Sequence, residues 1–249
     1  MILFVPYYTP SSEERKQELE KCLQDNLDNE FFHKIVLLLE NDSVHSLKHS
    51  KLDVLNLARR ATYRDWIEHA MRQGMPSVFA NADICFQGKL DEICLELNKP
   101  QTLLAISRHD EVGGTLVPHP NPHWSQDCWG IGAIKNIPDQ LLNQLSIPVG
   151  IPRCDNRIAY LFAVHGWRIV NPFPKIQLVH RHASNYRTYK KRGDQTILGG
   201  TAYVHPRKEN ECGSKLDFSI WIKNSSQIQS IALNKTLENW EKEESSAEI

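Results

Sequence analysis

The stretch Ser77-Val-Phe-Ala-Asn-Ala-Asp-Ile-Cys-Phe-Gln-Gly88 is a short apolar run that is interrupted by Asn81-Ala82-Asp83. The run predicts a buried strand that carries an amide and a carboxylate at its C-terminal end. Ligands of open α/β sheets bind at that end of the strands, and divalent cations prefer carboxylate and carbonyl oxygens. A simpler interpretation is a turn whose polar side chains satisfy local backbone groups. The stretch alone leaves both interpretations open.

The composition is that of a globular protein. The chain has 249 residues, which suits one large α/β domain with or without an appendage. Its formal net charge of -1 gives no basic field for nucleic acid. The six cysteines are scattered without a C-x-x-C pair, which argues against a zinc site or a disulfide framework. The N-terminal apolar run is too short for a signal peptide or a membrane span, so we expect a cytoplasmic protein without a transmembrane segment.

Apolar runs and helical repeats alternate over the first hundred residues. Continuous apolar runs, which are typical of strands covered on both faces, occupy residues 2–8, 34–40, 77–80 and 103–107. Helical patterns lie between them, namely a capping box that starts at Ser11 and apolar repeats at residues 61–73 and 90–97. The alternation predicts an α/β domain with a mostly parallel central sheet flanked by helices.

The second half of the chain has a less regular pattern. The predicted elements are a long loop at 108–124, a strand at 128–134, a helix at 155–165 and short strands at 167–170 and 176–179. Asp155 takes the N-cap position of the predicted helix. Beyond residue 189 the sequence becomes polar, and we expect an irregular, partly flexible extension there.

Four polar clusters follow predicted apolar elements. They are Asn81-Ala-Asp-Ile84, Ser125-Gln-Asp-Cys-Trp129, Cys154-Asp-Asn-Arg-Ile-Ala159 and His180-Arg-His-Ala-Ser-Asn-Tyr-Arg-Thr-Tyr189. Together with Arg60-Ala-Thr-Tyr63 and Asn171-Pro172, they resemble the GT-A class of nucleotide-sugar-dependent glycosyltransferases. The resemblance is greatest to a set of small bacterial proteins with N-A-D-I and C-D-N-R motifs, and it spans about residues 1 to 189.

The resemblance implies a metal site at Asp83. In GT-A enzymes a D-x-D sequence binds Mn²⁺ or Mg²⁺, which bridges the donor diphosphate and stabilises the leaving group. Here Asn81 replaces the first Asp, so Asp83 is the charged ligand of the motif. A later histidine often completes such a site, and His180 and His182 are two residues apart on one face of a predicted strand. A structural role, bonded to backbone or packed beside tyrosines, is the alternative for each histidine.

The resemblance also implies that Asp155 is the general base that deprotonates the acceptor hydroxyl. We expect the helix N-terminus to keep its pKa low, so that the residue acts by position more than by basicity. A helix cap alone would also explain Asp155. Asp127 is the second candidate for the base, with acceptor binding or a buried hydrogen bond as its simpler role.

The nucleotide is expected at the end of the first strand. Pro6, Tyr7 and Tyr8 resemble the place where GT-A folds hold the base, although both tyrosines also suit ordinary packing. Arg60 and Arg64 are candidate phosphate or ribose contacts, because arginine recognises phosphate through two hydrogen bonds. The simpler interpretation is that each arginine is an ordinary solvent-exposed side chain.

The resemblance implies a metal-assisted glycosyltransferase with Mn²⁺ or Mg²⁺ as its cofactor. Its donor would be a UDP- or GDP-linked sugar, and its acceptor a hydroxyl of a glycan or of a lipid-linked molecule. The expected catalytic domain comprises residues 1–189, with a nucleotide-binding half at 1–107, an acceptor half at 108–189 and a C-terminal extension at 190–249. Nucleic acid is not an expected partner. A lipid-linked acceptor would be compatible with peripheral contact of the protein with a membrane.

Two other functions stay open. A nucleotidyltransferase would share the α/β sheet, but it needs a Gly-rich loop with Arg and Lys after the first strand. The sequence there, Tyr7-Tyr8-Thr9-Pro10, contains none of these residues. A non-catalytic domain that binds a nucleotide sugar or a glycan is favoured by the replacement of the first Asp of the D-x-D motif.

Overall fold

The computed structural model describes residues 1–41, 43–181, 197–224 and 227–232. Within them the chain forms a mixed α/β fold around a seven-stranded sheet, here called the central sheet, which confirms the predicted fold class. Its strands in spatial order are β10 (Arg168–Val170), β6 (Thr102–Ser107), β9 (Gln126–Ile131), β4 (Ser77–Ala80), β1 (Ile2–Tyr7), β2 (Lys34–Glu40) and β3 (Leu52–Leu57). β9 runs opposite to the other six strands, which are parallel.

Hydrophobic clusters cover both faces of the central sheet. Ile2 and Phe4 of β1 belong to one cluster, whereas Leu3, Val5 and Tyr7 belong to the other, as the alternation of side chains along a strand requires. Burial on both faces explains why this strand is apolar at every position. One cluster includes residues of α1 (Glu13–Asp28) and α3 (Asp91–Leu97), and the other residues of α2 (Tyr63–Gln73), α4 (Asp139–Gln144) and α5 (Cys154–Val164).

The helix boundaries follow local capping chemistry. α1 begins one residue later than predicted, because Ser12 rather than Ser11 is its N-cap and accepts a hydrogen bond from the backbone N–H of Arg15. Thr62 and Asp65 form a reciprocal capping box at the start of α2, and Gly74 ends that helix in the left-handed region at φ 61°. The short elements β3 and α4 were not predicted.

A second sheet, here called the lateral sheet, contains β5 (Ile84–Gln87), β11 (Gln177–His180), β7 (His109–Val112) and β8 (Thr115–Pro118), in that order. The prediction of a long loop at 108–124 was therefore wrong over most of its length. β7 and β8 form a hairpin whose two-residue turn is Gly113-Gly114, both with positive φ. A 3-10 turn at Pro122–Trp124 then leads into β9.

The C-terminal sheet consists of the antiparallel strands β12 (Gly199–Val204), β13 (Leu216–Asn224) and β14 (Gln227–Ala232). The expectation of irregular structure beyond residue 189 was wrong for these residues. Ala202 and Val204 are fully buried in the same cluster as α5. The close approach of β12 to α5 depends on Gly200, since a Cβ at this position would overlap the ring of Tyr160 in α5. β12 therefore belongs to the main hydrophobic core.

Candidate functional site

The polar clusters meet at one edge of the central sheet, here called the carboxyl edge, where β1, β2, β4 and β6 end. The chain passes outward from β1 to β2 and β3 and then returns to β4 on the other side of β1. The strand order thus reverses between β1 and β4, and open α/β sheets bind ligands at such a switch point. Because β9 is antiparallel, it begins where β4 ends, and the Asn81 N–H donates to the Asp127 carbonyl at 3.0 Å.

A continuous series of polar side chains crosses the carboxyl edge. It runs from Asp83 through His180, Asp110, Arg108 and Asp127 to Asn81. His180 lies between two carboxylates, with Nε2 3.4 Å from Asp83 Oδ2 and Nδ1 3.2 Å from Asp110 Oδ1. Arg108 continues the series, with Nε 3.0 Å from Asp110 Oδ1 and Nη1 2.8 Å from Asp127 Oδ2, and Asp127 Oδ1 is 2.6 Å from Asn81 Nδ2. The fold therefore brings together four of the site residues that the sequence predicted, namely Asn81, Asp83, Asp127 and His180.

Asp83 lies at one end of this series and is neutralised by cations of the chain itself. Its Oδ2 is 2.6 Å from Nη2 of Arg15, and both residues are buried, with exposed fractions of 8% and 5%. Burial disfavours the charged form of His180, but the hydrogen bond and the charge of Asp83 outweigh it and raise the pKa of His180 above its usual value. Asp83 thus sits between a guanidinium and an imidazole that favours its protonated form.

This arrangement does not fit the expected Mn²⁺ or Mg²⁺ ion. Arg15 holds the carboxylate of Asp83, and the two ring nitrogens of His180 face the carboxylates of Asp83 and Asp110. In the described part of the chain, no three His, Cys, Asp or Glu side chains are grouped as a metal ion requires. His182, the other predicted ligand, lies outside the described residues.

A cavity of about 460 Å³ opens beside the carboxyl edge. Its volume is in the usual range for small-molecule sites, about 300–1,000 Å³. The lining residues are Asn81, Trp124, Gln126, Asp127, Trp129, Gly150, Ile151, Pro152, Arg153, Cys154, Asp155, Asn156 and Tyr203. The cavity thus contains both candidate bases, Asp127 and Asp155, and it draws residues from β9, β12 and the start of α5.

Asp155 is half-buried in the first turn of α5. The helix begins at Cys154, and its N-cap is Arg153 in the left-handed region, so the prediction that Asp155 is the N-cap was wrong. Burial raises the pKa of Asp155 to about 7, the charge of Asp127 adds to this increase, and hydrogen bonds from the backbone N–H groups of Asn156 and Asp155 only partly oppose it. The expectation of a low pKa was therefore also wrong, because desolvation outweighs the helix terminus.

Asp127, the second candidate base, is already bonded through both oxygens. Oδ1 accepts a hydrogen bond from the amide of Asn81, and Oδ2 accepts one from the guanidinium of Arg108. Both carboxylate oxygens are therefore occupied by donors of the chain itself. The geometry therefore favours Asp127 as a positioning residue between the carboxyl edge and the cavity.

The residues predicted to hold the base differ in their environments. Pro6 and Tyr7 are buried in β1, and Tyr7 is only 1% exposed in the hydrophobic cluster beside α1. Tyr7 is therefore a packing aromatic, the simpler of its two predicted roles. Tyr8 is half-buried at the switch point, where its hydroxyl accepts a hydrogen bond from Arg15 Nε at 3.4 Å.

The two predicted phosphate ligands lie away from the cavity lining. The Nε of Arg64 is 2.7 Å from Glu68, and its Nη1 is 3.4 Å from Asn143 of α4, so this side chain bridges two helices. Arg60 is half-buried just after β3, and its charge acts on Glu40, the last residue of β2. Arg60 thus remains beside the carboxyl edge, whereas the contacts of Arg64 are structural.

Sequence reasoning missed two arginines and one carboxylate of the site. Arg108 and Asp110 fell within the predicted loop, although the position of Arg108 immediately after a strand was a usable signal. Arg15 lies four residues before Leu19 on the buried face of α1. A charged residue on an apolar helical face indicates a buried partner, but the sequence does not name that partner.

The comparisons with known proteins do not place the chain in a family. No protein-family model matches it, and no curated protein matches it. Among solved structures, it is similar to 2-C-methyl-D-erythritol 4-phosphate cytidylyltransferase (IspD) of Francisella tularensis. The identity is 12% and the TM-score is 0.39, over 76% of this chain and 94% of that chain, so the similarity carries no argument about activity. In the described residues, no helix combines the length and the apolar character that crossing a bilayer requires.

Proposed function

We propose that this protein is a glycosyltransferase that moves a sugar from a nucleotide diphosphate donor to a hydroxyl of a glycan or lipid-linked acceptor. The observation that carries the proposal is Asp155, a half-buried carboxylate with a pKa of about 7 in a ligand-sized cavity. The cavity adjoins the switch point between β1 and β4, where α/β sheets bind nucleotides. A perturbed carboxylate in such a cleft is typical of an active site.

Asp155 acts as the general base in this mechanism. At neutral pH, a carboxylate with a pKa of about 7 is ionised in about half of the molecules and is basic enough to take a proton. The acceptor oxygen attacks the anomeric carbon of the donor and forms the new glycosidic bond. The bond from that carbon to the phosphate oxygen breaks, its electron pair leaves with the nucleoside diphosphate, and the hydroxyl proton passes to Asp155. A single displacement of this kind inverts the anomeric configuration.

Other residues position the two substrates. Asn81 and Asp127 join the end of β4 to the start of β9, so they fix the wall between the carboxyl edge and the cavity. Arg108 and Tyr8 are the candidates for contacts to the donor, because both lie at the carboxyl edge. A Mn²⁺ or Mg²⁺ ion at Asp83 would have to displace Arg15 from the carboxylate, and no step of this mechanism is assigned to the ion.

The test is a transfer assay with defined products. Thermal shift with UDP, GDP and CDP identifies the base, since a ligand that binds the folded state raises the melting temperature. The matching nucleotide sugars are then incubated with neutral glycan and lipid-linked acceptors, and the products are measured by mass spectrometry. We expect one equivalent of nucleoside diphosphate for each glycosylated acceptor.

Two outcomes contradict the proposal. Release of pyrophosphate from a nucleoside triphosphate would identify a nucleotidyltransferase. Binding of a nucleotide sugar without hydrolysis or transfer to any acceptor would identify a non-catalytic binding domain.

A further inference from the structure

An aromatic surface extends outward from the cavity. Trp124, at the end of the 3-10 turn, and Tyr203 of β12 both line the cavity, with ring centroids 6.2 Å apart. His123 lies 4.8 Å from Trp124 and is stacked on His205 at 4.9 Å with an interplanar angle of 8°. We call these four side chains the aromatic platform. It joins the turn that precedes β9 to the C-terminal sheet.

The platform presents Trp124 to solvent on a fixed turn. Trp124 is 47% exposed and borders the cavity. Side chains of the neighbouring strands fix the turn, because the carbonyl of Pro122 accepts hydrogen bonds from Gln126 Nε2 at 2.8 Å and from Ser107 Oγ. An exposed aromatic ring on a fixed support offers a flat apolar face without further loss of backbone freedom on binding.

Two residues that line the cavity, Gln126 and Trp129, each carry a buried polar atom with no partner among the described residues. The atoms are Oε1 of Gln126, a hydrogen-bond acceptor, and Nε1 of Trp129, a donor. The amide orientation of Gln126 is fixed, because its Nε2 faces the carbonyl oxygens of both Pro122 and Val204. Both side chains are at most 2% exposed. Leaving such atoms unpaired costs about 1–3 kcal/mol each, so a ligand that supplies both hydrogen bonds has a clear advantage.

We infer that the cavity and the platform together bind a neutral oligosaccharide of at least two pyranose units, which deepens the proposed function and rests on it. A sugar hydroxyl donates and accepts hydrogen bonds, so one ring in the cavity satisfies both Gln126 and Trp129 while presenting another hydroxyl to Asp155. The next ring lies with its C–H face on Trp124. A lipid chain would leave the two polar atoms unpaired and would place an apolar surface against two carboxylates.

The experiment measures binding of the neutral trisaccharides maltotriose, cellotriose and N,N′,N″-triacetylchitotriose to the full-length protein, each beside its own monosaccharide and without any donor. Saturation-transfer NMR and calorimetry give the affinities. We expect at least one trisaccharide to bind about tenfold more tightly than its monosaccharide, because ring stacking on Trp124 adds to the contacts of the cavity.

Variants of the platform test the assignment. Trp124→Ala is expected to weaken binding of that trisaccharide about tenfold, whereas Trp124→Phe, which keeps an aromatic face, weakens it about twofold to threefold. Leu95→Ala removes a side chain that is 60% exposed outside the cavity and serves as the matched control. Trp129→Phe removes the inner N–H and is expected to weaken the monosaccharide and the trisaccharide equally. Circular dichroism of each variant verifies its fold.

Three results would overturn the inference: no trisaccharide binds, the monosaccharide binds as tightly as the trisaccharide, or folded Trp124→Ala binds like the natural chain. The natural chain itself separates this inference from the proposed function. If it binds the trisaccharide but transfers no sugar from any nucleotide sugar, the glycosyltransferase proposal is rejected and the platform is retained.

Discussion

Asp83 and Asp155 are both carboxylates that the sequence assigned to one site, yet the fold gives them opposite surroundings. Asp83 is buried between Arg15 and His180, with cations on two sides. Asp155 is half-buried in a cavity, where the charge of Asp127 raises its pKa further and the charge of Arg153 only partly opposes this increase. The neutralised carboxylate is suited to holding α1, β5 and β11 together, and the carboxylate with the raised pKa is suited to proton transfer.

The difference shows that the partners of a carboxylate determine what it can do. A buried acid with a paired arginine stays ionised and is a poor base. The same group with desolvation and a neighbouring acid has a pKa near neutrality, which is the range that general base catalysis requires.

Replacing Asp155 by Asn should have the largest effect on activity. The amide keeps the size of the side chain but cannot accept the hydroxyl proton, so kcat is expected to fall about 10²- to 10⁴-fold. Binding of the nucleotide should be unchanged in a thermal-shift titration. Turnover close to that of the natural chain would remove Asp155 as the base, and Asp127→Asn is the comparison variant for that case.

Replacing Asp83 by Ala should instead reduce stability. It leaves the guanidinium of Arg15 buried without this partner, and breaking a buried ion pair costs about 3–5 kcal/mol. For a chain of this length, we expect the melting temperature to fall by roughly 2–4 °C per kcal/mol. The double variant Arg15→Met with Asp83→Leu should recover part of this loss, because it removes both charges. An unchanged melting temperature in Asp83→Ala would contradict the structural role.

The pH dependence of stability should reveal the raised pKa of Asp155. Its folded-state pKa of about 7 lies above the ordinary value of 3.8, so the folded protein binds the extra proton and loses stability as the pH rises through this window. Asp155→Asn removes that penalty and should stabilise the protein at pH 8 by on the order of 2 kcal/mol. The gain should fade as the pH falls towards 4. Urea unfolding at several pH values measures it, and a constant difference would argue against the raised pKa.

His180→Gln should destabilise the protein most under mildly acidic conditions. The pKa of His180 is raised by Asp83 in the folded state, so the contribution of the protonated imidazole is complete below its unfolded pKa. That contribution is lost as the pH rises through the higher folded pKa. We expect a loss of about 1 kcal/mol at pH 5.5 and a smaller loss at pH 8.5. A larger loss of stability at pH 8.5 than at pH 5.5 would contradict the ion pair between His180 and Asp83.

Mn²⁺ alone should have the smallest effect. Because Arg15 holds the carboxylate of Asp83, millimolar Mn²⁺ without a nucleotide is expected to change the melting temperature by less than about 1 °C. The same titration on Arg15→Met, in which the carboxylate is released, is the informative comparison. A strong stabilisation of the natural chain by Mn²⁺ would show that the ion displaces the arginine readily.

The sequence predicted the fold class because four strands of the central sheet, β1, β2, β4 and β6, are buried on both faces and almost wholly apolar. It failed where a strand had a mixed composition. The segment 108–118 contains Gly113-Gly114, which was interpreted as a sign of a loop, although two residues with positive φ are also the usual turn of a hairpin. β12 was missed because its contact with α5 depends on Gly200, a residue whose role is visible only in the packed structure.

Some members of the site were predictable from the sequence, but Arg15, Arg108 and Asp110 were not, and neither were the roles of the two carboxylates. The position of Asp83 after a strand and the position of Asp155 near a helix start were both visible in the sequence. The partner of Asp83, Arg15, lies 68 residues away in the chain, and no local pattern joins the two. Desolvation of Asp155 likewise comes from segments distant in sequence, so its pKa could not be inferred from the helix terminus alone.

The reversed direction of β9 has a consequence for how this protein can change during evolution. A parallel strand would deliver its last residues to the carboxyl edge, but β9 delivers its first residues, Gln126 and Asp127, and with them the whole preceding connection. That connection carries the Gly113-Gly114 hairpin and Trp124. Insertions between β6 and β9 can therefore change the wall of the cavity while the buried layers of the sheet stay untouched.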